Sequence, residues 1–166
     1  MNIDFTPNKA DNYWVLPAPE PLPYVSLSAI KRVKDPLPIP TECPYCGGTV
    51  RLVNNQEIYG APIGNWPFAY HCQQCCEAYV GVHQDTAIPV GFMADKELRK
   101  ARQTAKISFH EMLYASRRSR SEGYRWLSIQ LGISVNKTHY GWMNMIQCEQ
   151  ALKITTEEIK KCHNKT

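Results

Sequence analysis

Cysteine is the residue type in this 166-residue chain best suited to chemistry, because the chain has seven and four form two closely spaced pairs. Cys43 and Cys46 make one C-x-x-C motif, and Cys72 and Cys75 make a second after 25 intervening residues. Each motif favours a tight turn that directs two sulfurs to one point, and four thiolates form the tetrahedral shell that Zn²⁺ prefers. Four sulfurs leave no position for water, so the pattern predicts one structural zinc ion.

The fourth ligand has competing candidates. Cys76 directly follows Cys75, and His71 directly precedes Cys72, so either side chain could replace its neighbour at the metal. Successive residues of an extended chain point to opposite sides, and the C-x-x-C spacing favours Cys75 over Cys76. The predicted ligands are therefore Cys43, Cys46, Cys72 and Cys75.

A second metal site is a weaker hypothesis. Cys148, Cys162 and His163 carry suitable ligand atoms, but no two of them have the spacing of a metal-binding turn. Cys148 falls where a helix faces inward, which favours a buried free cysteine.

Composition favours a folded protein of a reducing compartment. Hydrophobic residues make up 43% of the chain, too many for a wholly disordered protein. The first residues contain no apolar run of the signal-peptide kind, and no stretch approaches the roughly 18 apolar residues of a membrane span. We expect a cytoplasmic protein, with no membrane partner and no evident small-molecule substrate.

Basic residues are concentrated beyond residue 95. Nine lysines and arginines lie between Asp95 and Arg125 against four acidic residues, a local excess larger than the chain's net charge of +4. A phosphate backbone would find cations and a helix N-terminus together in this segment, although a solvated helix face is the alternative. The candidate nucleic-acid-binding residues are Lys96, Arg99, Lys100, Arg102, Lys106, Arg117, Arg118 and Arg120.

Three regions differ in composition and predict an α+β protein. Residues 1–42 form a Pro-rich extended arm, residues 43–92 a zinc ribbon, and residues 93–166 a helical unit. The ribbon is a small antiparallel sheet with two cysteine knuckles, and a small bundle of three to four helices follows it. Proline removes backbone donors, so we expect neither a helix nor a central strand in the arm. The arm either lies across the protein's own body or docks on another protein in polyproline form.

Local patterns place the elements. Strands are predicted at 49–53, 57–59, 68–71 and 78–82, with a turn at 54–55. One helix begins after Asp95, and a second begins at Ser119, where Glu122 completes a capping box, and ends at Gly132. A third helix is predicted over 143–152, and the Thr155 and Glu158 spacing predicts a fourth.

The sequence gives little indication of catalysis. No H-E-x-x-H, nucleophile elbow, phosphate loop or dinucleotide fingerprint occurs. Small nucleases of the His-Asn-His type can be braced by two C-x-x-C knuckles, with metal-binding histidines between them. That interval contains only His71 here, which counts against a nuclease built on His83 or His139.

Taken together, these motifs resemble a family of small phage and prophage proteins described as a zinc-finger-containing domain of unknown function. The resemblance runs from about residue 40 to 152. It rests on residues 43–48, 58–60, 78–83, 86–89, 94–95, 98–99, 119–120, 124, 126–127, 131–133, 139–143 and 148. The resemblance implies a ribbon fused to a helical unit, with zinc on the four predicted cysteines, in the cytoplasm of a bacterial host cell. It supplies no reaction. The chain departs from the family in having Cys76 after the fourth ligand and Lys106 where relatives tend to carry histidine.

These observations lead to three functional hypotheses. The first is a phage-derived, non-enzymatic zinc-ribbon protein that binds DNA or RNA through the basic helical face. The second is a protein-interaction factor that docks on a host protein through the arm or the ribbon edge. The third is a zinc-braced nuclease.

Overall fold

A computed structural model of the chain describes residues 7–8, 13–74 and 76–164. The chain divides into two compact units, Met1–Asp95, which we call the sheet unit, and Lys96–Thr166, which we call the helical unit. The architecture is mixed α and β, with small antiparallel sheets in the first unit and three long helices in the second.

The Pro-rich segment contains more regular structure than its sequence predicts. Strands β1 (Pro7–Asn8), β2 (Tyr13–Leu16) and β3 (Val25–Ser26) form an antiparallel sheet in the order β1-β2-β3, and helix α1 spans Leu27–Arg32. The expectation of neither a helix nor a central strand is therefore wrong, at α1 and at β2. The prolines of residues 17–23 lie between β2 and β3, and α1 contains no proline. Both β2 and α1 therefore keep their backbone N–H donors.

The end of this segment packs against the sheet unit itself. Leu22 and Val25 are buried in the same apolar cluster as Phe68. The Ser26 N–H donates to the backbone oxygen of Asp85 at 2.8 Å. These contacts agree with an arm that lies across the protein's own body.

The larger sheet positions the cysteines. Strands β4 (Val50–Asn54), β5 (Phe68–Cys72) and β6 (Tyr79–Gly81) pair antiparallel in the order β4-β5-β6. Val50 is opposite Cys72, and His71 is opposite Tyr79. Because side chains alternate along a strand, Phe68, Tyr70 and Cys72 share one face of β5, and all three belong to the apolar cluster of the unit.

The predicted return strand at 57–59 is wrong, because helix α2 occupies Gln56–Tyr59. The Asn54 side chain accepts from the Gln56 N–H at 3.0 Å and so starts the turn. Gly60 then ends the helix with a φ of 80°, a conformation that glycine adopts without steric cost. The partner of β4 is β5 instead, which is reached through the loop at 60–67.

The helical unit is built on helices α3 (Lys96–Ser116), α4 (Arg120–Leu131) and α5 (Met145–His163). Short 3₁₀ turns at Val135–Lys137 and Tyr140–Trp142 connect α4 to α5. The core of the unit is apolar and comes from all three helices and the second turn; its fully buried large members are Phe109, Met112, Leu127, Met143 and Cys148.

The predicted start and end of α4 are confirmed. Ser119 caps the helix, its side chain accepts from the Glu122 N–H, and the Glu122 carboxylate accepts from the Ser119 N–H at 2.8 Å. Gly132 ends the helix with a φ of 66°. α4 also approaches α3 closely at Gly123, where a Cβ would collide with Leu113.

The division of the last region into two helices is wrong. A single helix, α5, begins after the cap residue Asn144 and continues through residues 153–155. Thr155 has the spacing of a helix cap, but it is fully buried and its hydroxyl donates to the Ala151 carbonyl at 2.8 Å. Of the helices that the structure describes, none has both the length and the apolar character needed to cross a membrane.

Candidate metal centre and basic helical face

Four cysteine sulfurs converge beside the end of β5. The Sγ atoms of Cys43, Cys46, Cys72 and Cys76 all lie within 4.8 Å of one another. The Sγ–Sγ distance is 3.5 Å for Cys43 and Cys76, 3.6 Å for Cys46 and Cys72, and 3.9 Å for Cys72 and Cys76. Since Zn–S bonds of about 2.3 Å give a tetrahedron with edges of about 3.8 Å, the sulfurs have the spacing of a zinc shell. A disulfide needs sulfurs only about 2.05 Å apart.

Two backbone turns present these sulfurs. In the first, the Cys43 N–H donates to the Gly48 oxygen at 2.8 Å, and Gly47 has a φ of 69°. In the second, the Cys72 N–H donates to the Ala78 oxygen at 2.9 Å, and Glu77 has a φ of 46°. The second cysteine of each described pair is thus followed by a residue with positive φ, and the second turn is one residue longer.

The longer turn bears on the fourth ligand. The structure places Cys76 with Cys43, Cys46 and Cys72, and His71 is not a member of this group. Cys75, the predicted fourth ligand, lies outside the described residues. The sequence offered Cys76 as an alternative ligand, at C-x-x-x-C spacing from Cys72. The longer turn requires a left-handed conformation at Glu77, and no local sequence pattern predicts that conformation.

Burial is graded across the shell. Cys43 and Cys72, the first cysteines of the two turns, are each only 2% exposed, whereas Cys46 and Cys76 are half-buried. Four sulfurs complete the coordination of zinc, so the centre holds one structural zinc ion and offers no position for a substrate or a reactive water.

The thiols differ in acidity before a metal binds. Burial acts to raise the pKa of Cys43, but hydrogen bonds from the backbone N–H groups of Tyr45 and Cys46 and from the thiols of Cys76 and Cys72 together outweigh burial and lower that pKa to about 7. Burial raises the pKa of Cys72, while the neighbouring Cys46 sulfur, together with burial, raises the pKa of Cys76. Zinc must therefore displace protons from crowded thiols, which makes its binding weaker in acid.

The other metal candidates are placed elsewhere. Cys148 is 1% exposed in the core of the helical unit, and burial raises the pKa of its thiol. Cys162 is half-buried and His163 is exposed near the end of α5. Within the described ranges, the four cysteines are the group of such side chains close enough together to hold a metal ion.

The histidines of the nuclease hypothesis belong to different units. His83 follows β6 in the sheet unit and is half-buried, and burial lowers its pKa. His139 is exposed in the helical unit, with its ring centre 5.5 Å from that of Trp142.

Two of the predicted nucleic-acid-binding arginines serve the fold of the helical unit. The Arg102 Nε donates to the Met143 carbonyl at 2.9 Å. The Arg118 guanidinium lies 2.9 Å from the Glu158 carboxylate and 5.1 Å from the ring centre of Trp126. Both side chains are half-buried, and their hydrogen-bonding capacity is partly used within the protein.

The remaining predicted cations differ in exposure. Arg99 is half-buried on α3, and Arg117 is exposed in the turn between α3 and α4. Arg120 is exposed, with its guanidinium 5.7 Å from the ring centre of Tyr124. The exposed lysines of α3 are Lys96, Lys100 and Lys106.

The exposed side of α3 carries a continuous row of polar, basic and apolar side chains. Six exposed residues follow one another at steps of three and four and therefore share one line along the helix, which we call the α3 midline. They are Lys96, Lys100, Gln103, Ile107, His110 and Tyr114. Glu111, which is exposed, lies beside this line, four residues after Ile107 and three before Tyr114, and Glu97 lies farther to the same side.

Comparison with known proteins adds a family assignment. No curated protein and no solved structure is detectably similar to the chain. The family model described as a zinc-finger-containing domain matches residues 39–158, which include all four clustered cysteines and most of the helical unit. The chain therefore belongs to the zinc-finger-containing domain family.

Proposed function

We propose that this zinc-binding protein binds nucleic acid through the exposed basic face of α3. In the same proposal, the four-cysteine centre and the sheet β4-β5-β6 form a zinc ribbon that stabilises the sheet unit without taking part in a reaction. The phage setting expected from the family resemblance belongs to this proposal as well.

The observation that carries the proposal is the charge of the helical unit. Residues 96–166 contain 14 lysines and arginines against six aspartates and glutamates, a net charge of +8. Residues 1–95 contain five against nine, a net charge of −4. The overall charge of +4 thus conceals a strongly basic unit joined to an acidic one. A basic surface of this kind attracts polyanions over several ångströms and releases their counterions on binding.

The lysines on α3 are available to a phosphate backbone. Lys96, Lys100 and Lys106 are exposed, and within the described part of the chain their side chains have neither an ion pair nor a hydrogen bond. These three lysines are therefore not paired with any acidic side chain that the structure describes, in contrast to Arg118, which pairs with Glu158.

Docking of the arm on a host protein has less support. Such docking needs the apolar side chains of the arm to be free, but Leu22 and Val25 are already buried in the core of the sheet unit. An extended Pro-rich ligand would have to give up these contacts before it could bind elsewhere.

The test is binding of fluorescent DNA and RNA oligonucleotides to the full-length, zinc-loaded protein, followed by anisotropy at several salt concentrations. Replacing Lys96, Lys100 and Lys106 with glutamine should weaken binding and reduce the slope of log affinity against log salt by about two to three. A matched variant removes the same charge from exposed positions of α5, namely Lys153, Lys160 and Lys161.

The matched variant separates a local contact from a general effect of charge. We expect it to keep more of the affinity and more of the salt slope than the α3 variant. Absence of binding by the wild-type protein at low salt contradicts the proposal. Equal losses in the two variants contradict the assignment to α3.

A further inference from the structure

The α3 midline is polarised along its length. Its first half carries Lys96 and Lys100, and its second half carries two exposed apolar side chains, Ile107 and Tyr114. Tyr114 is 90% exposed, and among the described residues its hydroxyl has no hydrogen-bond partner and its ring has no aromatic or cationic partner. An aromatic side chain that is almost wholly in water gives up the burial that usually stabilises it, so the fold does not account for this residue.

Cations and the aromatic ring are aligned on one helix. Lys96 and Tyr114 are 18 residues apart, which is five helical turns, so they point in the same direction about 27 Å from each other. Lys106 is a little more than two turns before Tyr114 and lies about 80° around the helix from the midline, on the side opposite Glu111. A single ligand that lies along α3 can therefore contact both the lysines and the ring.

We infer that the ligand of this face is single-stranded nucleic acid, with an unpaired base stacked on Tyr114 and the phosphates of the strand on the lysines. The inference rests on the proposed function and specifies its ligand. Proteins that bind single strands combine a basic track with aromatic side chains in this way. A duplex keeps the faces of its bases inside the stack, where the Tyr114 ring cannot reach them.

A protein partner fits the same face less well. Lysine is depleted at the buried centre of protein interfaces, yet three lysines lie on or beside the midline. Ile107 and Tyr114 are about 10 Å apart with His110 between them, so they do not form one continuous apolar patch.

The test compares a single strand of about 12 nucleotides with its duplex, using the full-length, zinc-loaded protein and fluorescence anisotropy at low salt. We expect tighter binding to the single strand. Tyr114→Ala should lower affinity for the single strand by about fivefold to a hundredfold, the range found when stacking on one base is lost. Tyr114→Phe keeps the ring and should bind within about twofold of the wild type.

A matched control and the outcomes distinguish this inference from the proposed function. Ile129→Ala removes an apolar side chain of α4 that is 70% exposed, and it should leave affinity unchanged. If Tyr114→Ala binds the single strand as the wild type does, or if the duplex binds more tightly, the inference is wrong and nucleic-acid binding through the lysines stands. If neither the single strand nor the duplex binds at low salt, both the inference and the proposed function are wrong.

Discussion

Replacement of Cys76 with serine removes one of four sulfurs from the metal centre and measures how far the sheet unit depends on zinc. Structural zinc contributes about 10–16 kcal/mol in small domains, so an equal share for each of four thiolates is about 2.5–4 kcal/mol. A neutral serine hydroxyl does not replace a thiolate ligand at neutral pH. We therefore expect zinc affinity to fall by about two to three orders of magnitude, as measured by competition with a chromophoric chelator.

The matched control is Cys75→Ser, which changes the adjacent thiol. Because the four sulfurs of the described cluster already have tetrahedral spacing, this variant should retain one zinc ion with the affinity of the wild type. A variant with both changes tests whether Cys75 can move into the place of Cys76, and we expect it to bind zinc no better than Cys76→Ser. Normal zinc binding by Cys76→Ser, together with loss of zinc from Cys75→Ser, would refute the assignment and restore the C-x-x-C ligand set.

Three further predictions concern the helical unit. Thr155→Val removes a buried hydroxyl 2.7 Å from the Ser108 hydroxyl and should destabilise the protein by about 1–3 kcal/mol in thermal melts, whereas adding Ser108→Ala should recover most of the loss. Arg118→Ala breaks the half-buried pair with Glu158 and should cost about 1 kcal/mol of stability, and an unchanged melting temperature contradicts a structural role for Arg118. The cap hydrogen bonds lower the pKa of Glu122, so the ionised carboxylate stabilises the fold above its ordinary pKa of 4.5, and this stabilisation is lost as pH falls through the lowered pKa. The difference in melting temperature between wild type and Glu122→Gln should therefore vanish in acid.

Local chemistry explains which parts of the fold are readable from the sequence. The capping box at Ser119 and the stop at Gly132 were predicted because both depend on residues a few positions apart. The same reasoning failed at Thr155, where the spacing of a capping box occurs inside a helix. The Thr155 hydroxyl is satisfied by the Ala151 carbonyl and by Ser108 across the helix pair, and the second partner is 47 residues away in sequence.

The arm and the return strand were mispredicted for a related reason. Proline content averaged over residues 1–42 concealed the proline-free stretch that forms α1. The predicted partner of β4 was the next apolar segment, at 57–59, but the partner is β5. This pairing places Cys72 opposite Val50, and both side chains belong to the apolar cluster of the sheet unit.

The sequence alone determined that zinc is bound by cysteines in two turns and that cations concentrate beyond residue 95, because thiolate chemistry and charge are properties of residue type and spacing. Tertiary structure decided which sulfurs meet at one point and which cations form contacts within the fold. Those outcomes depend on distances between residues far apart in the chain, such as Cys43 to Cys76 and Arg118 to Glu158. A local sequence pattern cannot predict such a distance, because the two residues of each pair come together only when the chain folds.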